Sequence, residues 1–372
     1  MMAIHPPFSL LQVALLALTC CGTGGLSARA ADHIGVPKTI TFPKVEAGRA
    51  LLFPADHGAH PDYRTEWWYI TGWIDNGDVE RGFQVTFFRS RSGLQEDNAS
   101  AFAPKQLIFG HAAIADARHG RLIYDERAAR QGFGLAYAKT GDTDVRIEGW
   151  TLTRKDGVYQ ARIIADEFSM DMRFTSSQPV LLQGDEGFSR KGPRWGQASY
   201  YYSLPHLRVD GSIQLNGETM SVTGEAWLDH EWSSEYLPAD AQGWDWVSVN
   251  FSSGAALMAF RMRARDGGTL WAAGSIREPD GHVITLSPHE VGFAPKRFWR
   301  SERTGIEYPV AMRIRAGSYE LDVEPLMEDQ ELDSRLSTGI IYWEGAVRAL
   351  INGKRVGRGY LELTGYGGRP EM

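Results

Sequence analysis

Cysteine is almost missing from this chain: its 372 residues include two, Cys20 and Cys21, side by side near the start. If the leader is removed after Ala30, the mature protein has none, which excludes disulfides, thiolate metal ligands and a cysteine nucleophile. A basic excess is also lacking. The formal net charge is −7 and no lysine/arginine block occurs, so nucleic acid is excluded as a partner, because phosphate neutralisation needs a basic surface. Long apolar runs are limited to Leu10–Thr19, too short to span a bilayer. No G-x-S-x-G, glycine-rich phosphate loop or H-E-x-x-H string is present, which leaves serine-hydrolase, nucleotide-binding and zinc-protease chemistry without support. Helical periodicity is scarce as well. The polar stretch Glu328–Leu336 is the best helix candidate, and it is short.

The apolar run reads as an export signal. Ala28-Arg29-Ala30 supplies a cleavage site that leaves Ala31 as the first mature residue, so residues 1–30 form the signal peptide. Leu18-Thr19-Cys20-Cys21 also resembles a lipoprotein box, in which a lipidated Cys21 would tie the protein to a membrane. Either route gives an exported protein, periplasmic or membrane-anchored.

What the chain does have is a period of two. A strand pattern from Glu66 to Ile74 runs into Asp75-Asn76-Gly77-Asp78, a hairpin turn, and returns through Phe83–Arg89. Phe168, Met170, Met172 and Phe174 alternate with Ser169, Asp171 and Arg173, which predicts one dry and one wet face. Asp156-Gly157, Asn216-Gly217, Pro279-Asp280-Gly281 and Asn352-Gly353 repeat the turn signal. Length suits two domains, and short strands with frequent turns predict an all-β protein of two antiparallel barrels. The expected division is 31–225 and 226–372, with the barrels meeting near 225–245. The stretches Gly184–Gln197 and Ser233–Gln242 read as long loops that rim a mouth or cover an interface.

Tryptophan, with twelve copies, is the loudest presence. It clusters with acids and a histidine in Glu66-Trp67-Trp68-Tyr69, Trp227-Leu228-Asp229-His230-Glu231-Trp232 and Trp244-Asp245-Trp246. Such clusters either pack a core or line a cleft for a large apolar molecule. On a strand, Glu66 shares a face with Trp68 and Ile70, and there it is either an ion-pair partner of Arg64 or a ligand-facing acid. His230 and Trp232 share one face of their strand, where the histidine can hold a ligand or donate a proton. Asp245, on a face with Val247, Val249 and Phe251, is the best single candidate for a general acid. Glu66, Trp68, His230, Trp232 and Asp245 are therefore expected around one apolar cavity. Trp67, Tyr69, Trp244 and Trp246 complete the candidate ligand-binding set. No metal or cofactor is expected, because adjacent strand residues cannot aim at one ion, and His57 and His60 lie in a loop ahead of the first strand.

The string Pro61-Asp62-Tyr63-Arg64-Thr65-Glu66-Trp67-Trp68-Tyr69-Ile70-Thr71-Gly72 resembles the opening signature of the AttH/CrtC family. The likeness continues through Asp229-His230-Glu231-Trp232, Gly243-Trp244-Asp245-Trp246 and Tyr342-Trp343-Glu344-Gly345. It ends in Gly359-Tyr360-Leu361-Glu362-Leu363-Thr364-Gly365-Tyr366. This resemblance implies two tandem lipocalin-like, calycin-type barrels. Its best-known enzymes, the carotenoid 1,2-hydratases, protonate a terminal isoprenoid C=C and let water capture the cation, and the matching residues here are His230, Trp232, Trp244 and Asp245. The strand Ala256–Arg263 carries no acid, so the chain resembles the exported AttH-like branch more than the pigment-pathway branch. Three expectations follow: a carrier for an apolar lipid or terpenoid, serving a membrane transporter; a hydratase or cyclase acting by proton transfer; and an interaction protein whose tryptophans pack two barrels together.

Overall fold

The computed structural model describes residues 40–94 and 96–370 of the chain. The expected signal peptide, the cleavage site after Ala30 and Cys21 lie outside the described residues. The described residues are nearly all β, and their only helical turns are two three-residue 3-10 segments, Ala55–His57 and Pro288–Glu290.

Four strands open the first sheet as a meander: β1 (Thr65–Asp75), β2 (Glu80–Arg91), β3 (Gln106–Ala115) and β4 (Ile123–Arg130). A second meander follows in β5 (Ala136–Ala138), β6 (Asp144–Ile147), β7 (Trp150–Lys155), β8 (Val158–Ile164) and β9 (Phe168–Thr175). Two short strands, β10 (Leu181–Leu182) and β11 (Phe188–Arg190), lie against the long hairpin of β12 (Ala198–Leu215) and β13 (Glu218–Ser233). That hairpin joins the meanders, because β12 pairs with β9 and β13 pairs with β1.

The second sheet repeats the plan. β14 (Ala241–Phe251), β15 (Ala256–Ala264), β16 (Thr269–Arg277) and β17 (Val283–Leu286) form one meander. β18 (Val291–Arg300), β19 (Glu307–Ala316) and β20 (Tyr319–Pro325) form another, with β21 (Glu331–Ser334) at its side. The hairpin of β22 (Ile340–Ile351) and β23 (Lys354–Thr364) joins them, as β23 pairs with β14 and β22 with β20. Every strand pairing is antiparallel, and each sheet curls around its own apolar core. The all-β, lipocalin-like expectation holds.

Local chemistry sets the tight turns. Asn216-Gly217 and Asn352-Gly353 have both central φ values positive, at 55 and 79° and at 50 and 74°, the mirror-image turn whose twist matches right-twisted strands. Dry faces match their pattern too, since Phe168, Met170, Met172 and Phe174 are all buried in the first core.

Two boundaries differ from expectation. The division at 225/226 falls inside β13, whose residues up to Ser233 pair with β1 and β12. The sheets change over in 234–240 instead, because a strand whose two edges both have hydrogen-bonded partners cannot be cut mid-length. Glu328–Leu336 is not helical. Its Glu331–Ser334 segment pairs with β22, burying Leu332 and Glu331. Glu331 there accepts hydrogen bonds from Ser301 and Thr304 at 2.7 Å each.

A third core joins the barrels. Tyr69 and Trp73 from β1, Tyr201 from β12 and Trp227 from β13 pack with Trp246, Met258, Phe260, Ala346 and Tyr360 of the second sheet. Trp73 Nε1 donates to the carbonyl of Gly359 at 3.0 Å, and Asn250 Nδ2 donates to the carbonyl of Ala226 at 3.2 Å. The barrels also approach closely at Gly82, where an added Cβ would stand 2.5 Å from Cβ of Ala346. Gly82→Val must push the barrels apart or distort β2. Overpacking of this kind costs about 1–3 kcal/mol, so the urea midpoint should fall. An unchanged midpoint would show that the seam is looser than this contact requires.

Candidate functional site

β1 and the 226–233 half of β13 are buried on both faces, so each carries two separate sets of side chains. Alternation sends Glu66 and Trp68, with His230 and Trp232, into the first barrel. It sends Trp67 and Tyr69, with Asp229 and Glu231, toward the second barrel. The expected cavity set is thus divided by the pleat, and the two faces hold different chemistry.

Inside the first barrel, Glu66 is the centre of a satisfied network. Oε2 accepts from Arg89 Nε at 2.8 Å, and Oε1 lies 2.7 Å from His60 Nδ1 and 2.9 Å from His230 Nε2. The expected partner Arg64 is not the one bonded to it; Arg89, opposite Glu66 on β2, takes that place. Burial pushes the Glu66 carboxyl up, but His60, Arg89 and the bond to His230 outweigh it and hold the group well below its usual range. Trp68 stacks on His230 with ring centres 4.7 Å apart, and Trp232 stacks on His60 at 3.7 Å. His60 arrives from the loop that covers this end of the barrel. His57 of the same loop is buried, and burial lowers it to about 3.

Between the barrels lies a cleft of about 810 Å³ including its mouth. Its walls are aromatic: Trp67, Tyr69 and Phe88 from the first sheet, Tyr236 from the crossover, Trp244, Trp246, Phe260 and Tyr342 from the second. Both segments read as long loops reach it, one through Tyr236 and the other through Lys191, just after β11. Among the described residues, four carboxyl groups line it, Asp229, Glu231, Glu344 and Glu362, against one lining cation, Lys191.

The four acids are not equivalent. Glu231 is neutralised, with Lys191 Nζ at 2.8 Å and a hydrogen bond from Ser199 Oγ. Asp229 accepts from Tyr201 Oη at 2.6 Å, Ser203 Oγ at 2.5 Å and Trp227 Nε1 at 2.6 Å, yet burial still raises it to about 7. Glu344 and Glu362 stand directly opposite each other on β22 and β23, the arrangement in which two like charges repel most. Glu362 accepts from Trp244 Nε1 at 2.8 Å and Thr364 Oγ1 at 2.9 Å, and burial, with Glu231 and Asp245 nearby, raises it to about 7. Glu344 is raised well above the carboxyl range by burial first and by Glu362 second. Its Oε1 is buried without a hydrogen-bond partner among the described residues, although the Tyr69, Tyr342 and Gln84 side chains surround the group. Burial and mutual repulsion thus both favour the protonated form of this pair.

Asp245 is elsewhere. It points into the second barrel, where Arg261 Nε at 2.5 Å, Arg263 Nε at 3.1 Å and Tyr366 Oη at 2.9 Å surround its carboxylate. It does not line the cleft, so it is corrected here from a candidate proton donor to a structural anion tying β14 to β15 and the segment after β23. His230 likewise faces the barrel interior, away from the cleft. Of the expected ligand-binding residues, Trp67, Tyr69, Trp244 and Trp246 line the cleft, whereas Glu66, Trp68 and Trp232 do not. Glu344 and Glu362 were passed over by the sequence reading, though Tyr342-Trp343-Glu344 and Tyr360-Leu361-Glu362 carried the signal: alternation puts each acid on its strand's tyrosine face.

Asp245→Asn would leave two largely buried guanidinium groups facing an uncharged amide. Breaking a buried pair in this way costs about 3–5 kcal/mol. The melting temperature should fall steeply while ligand affinity of the surviving folded protein stays unchanged; a stable variant with lost binding would return Asp245 to the site.

The sequence model of the AttH-like family matches residues 44–366. Among solved structures, an AttH-type protein of Nitrosomonas europaea is 52% identical, with 87% of this chain and 99% of that chain covered, at a TM-score of 0.83. Kievitone hydratase of Nectria haematococca is 14% identical, with 88% and 97% covered, at a TM-score of 0.65, a likeness of fold. No curated protein sequence matches.

Proposed function

The chain belongs to the AttH-like family, and from that premise we propose that its interbarrel cleft binds an uncharged, unsaturated apolar molecule and that Glu344 protonates it. The observation that carries this reading is the Glu344 carboxyl, fully buried, held neutral beside Glu362, and with one oxygen unbonded in an aromatic cleft. A buried neutral carboxylic acid at neutral pH is a general acid in waiting.

The chemistry is the addition of water to a C=C bond. The proton of Glu344 forms a new C–H bond, the π-electrons leave a cation on the more substituted carbon, and the aromatic faces stabilise it. Water attacks that carbon, and its spare proton passes to a carboxylate, restoring the acid form of the site. The Glu344 carboxylate left by the first step takes that proton, so the cycle closes on the group that opened it. The cited fold relative is named as a hydratase, which fits without deciding the substrate. The aromatic walls by themselves would also serve an exported carrier of a lipid or terpenoid handing its cargo to a transporter; the buried acid is what a carrier has no need of.

Glu344→Gln separates the two readings. Binding of an isoprenoid olefin, followed by tryptophan quenching, should stay within about threefold, since the amide keeps the shape. Incorporation of ¹⁸O from labelled water should fall by 100-fold or more, as loss of a general acid costs about 10²–10⁴ in rate. Stability should move the other way. The unfolded Glu344 ionises near its ordinary value of about 4.3, while the folded group stays protonated. The wild type therefore loses stability as pH rises above that value, by up to about 1.4 kcal/mol per unit from this group, and the glutamine variant lacks that share while Glu362 and Asp229 keep theirs. Its gain in melting temperature should be small at pH 5 and larger at pH 8. Wild-type protein that binds olefins but never incorporates ¹⁸O would leave the carrier reading.

A further inference from the structure

The loop that caps the first barrel assembles a second constellation, away from the cleft and independent of its chemistry. His60 Nδ1 and His230 Nε2 both point at one oxygen of Glu66, 2.7 and 2.9 Å away, and the three ligand atoms lie within 4.8 Å of one another. We propose that His60, Glu66 and His230 form a binding site for a zinc-type divalent metal ion.

Two imidazoles and a carboxylate are a donor set that zinc and its first-row neighbours take, with an open fourth position. What sets this cluster apart from a chance meeting is the second layer. A metal-binding histidine holds its ring by giving its other nitrogen to a carboxylate or hydroxyl. His60 Nε2 lies 2.9 Å from Asp56 Oδ1, and Asp56 is itself fixed by Arg49 at 2.8 Å and by the Leu52 amide at 2.6 Å. His230 Nδ1 lies 3.1 Å from Tyr202 Oη. Arg89 occupies Glu66 Oε2, which leaves Oε1 as a single-oxygen ligand. Trp68 and Trp232 stack on the two imidazoles and supply a dry apolar shell. Glu66 and His230 are fully buried, whereas the His60 side chain keeps 12% of its surface open, so the loop side is the way in.

Without an ion, protons bridge the same atoms. Bonds of about 2.0–2.2 Å around a tetrahedral ion place neighbouring ligand atoms roughly 3.3–3.5 Å apart. The Glu66 oxygen must therefore draw back by roughly half an ångström to admit the metal, pivoting on the Oε2 that Arg89 and the His60 amide hold at 2.8 Å each.

The test is a titration of the EDTA-stripped full chain with Zn²⁺ by calorimetry and with Co²⁺ by visible spectroscopy. One Zn²⁺ should bind per chain, and Co²⁺ should give the d–d bands of nitrogen and oxygen ligation. His60→Gln and His230→Gln should each weaken binding by at least about 100-fold, since even outer-layer changes cost 10–100-fold. His60→Gln changes only a partly open loop residue, so far-UV circular dichroism should show the same β signal as wild type and keep that result interpretable. Absence of stoichiometric binding by the folded wild type overturns the proposal. So does affinity untouched by both substitutions, or a Co²⁺ spectrum dominated by thiolate charge transfer, which would place the ion on Cys20 and Cys21.

Discussion

A β-strand has two faces, and in a barrel one of them ordinarily meets water. Here the strands on the seam, β1 and β13 of the first barrel and β14, β22 and β23 of the second, have the outer face covered as well. A polar group on them that lacks a partner is expensive, because an unsatisfied buried group costs more than the hydrogen bond it would have made. Buried acids on these strands answer this in different ways: by ion pairing, as at Asp245, and by a closed network, as at Glu66. Aromatic residues fill the same strands, since only large side chains close the gap between two curved walls. Indole N–H groups then act as donors, with Trp227 on Asp229, Trp244 on Glu362 and Trp246 on Tyr201. The tryptophan–acid clustering of the sequence is the trace of that double burial.

The fold was legible because its signals are local. Period-two alternation and Asn-Gly or Asp-Gly turns depend on neighbours in the chain, and they placed β1, β2 and β9 and the hairpins correctly. Alternation also sorted the faces: Trp67 and Tyr69 away from Glu66 and Trp68, Asp229 and Glu231 away from His230 and Trp232. What alternation does not say is which face meets a ligand. Both faces of a doubly buried strand are apolar, so the histidine face, which is the barrel interior, looked as much like a site as the acid face. The changeover between barrels was misjudged for a similar reason, since the end of a long paired strand and the start of a crossover have the same composition.

The missed residues come from register. Glu344 and Glu362 are eighteen positions apart and become neighbours only because the β22–β23 hairpin places them opposite each other. His60 lies in a loop with no periodicity at all, and it reaches His230, far along the chain, only because that loop folds over the barrel end. A metal at these residues was discounted on the ground that one strand cannot aim adjacent side chains at one ion. That argument is sound for a single strand and fails once a loop and two strands converge.

Asp245 and Glu344 show how the same burial yields opposite chemistry. Each is a fully buried carboxyl beside tryptophans, and the sequence around Asp245 looks the more reactive of the two. The difference is in the strand across from each. Asp245 faces Arg261, with Arg263 two residues further along the same strand, so two guanidinium groups are bonded to its carboxyl. Glu344 faces Glu362, so ionising one opposes ionising the other, and among the described residues no arginine or lysine is bonded to either. An acid is made by what stands opposite it, and the cross-strand partner is the property that a linear reading of W-D-W or W-E-G does not contain.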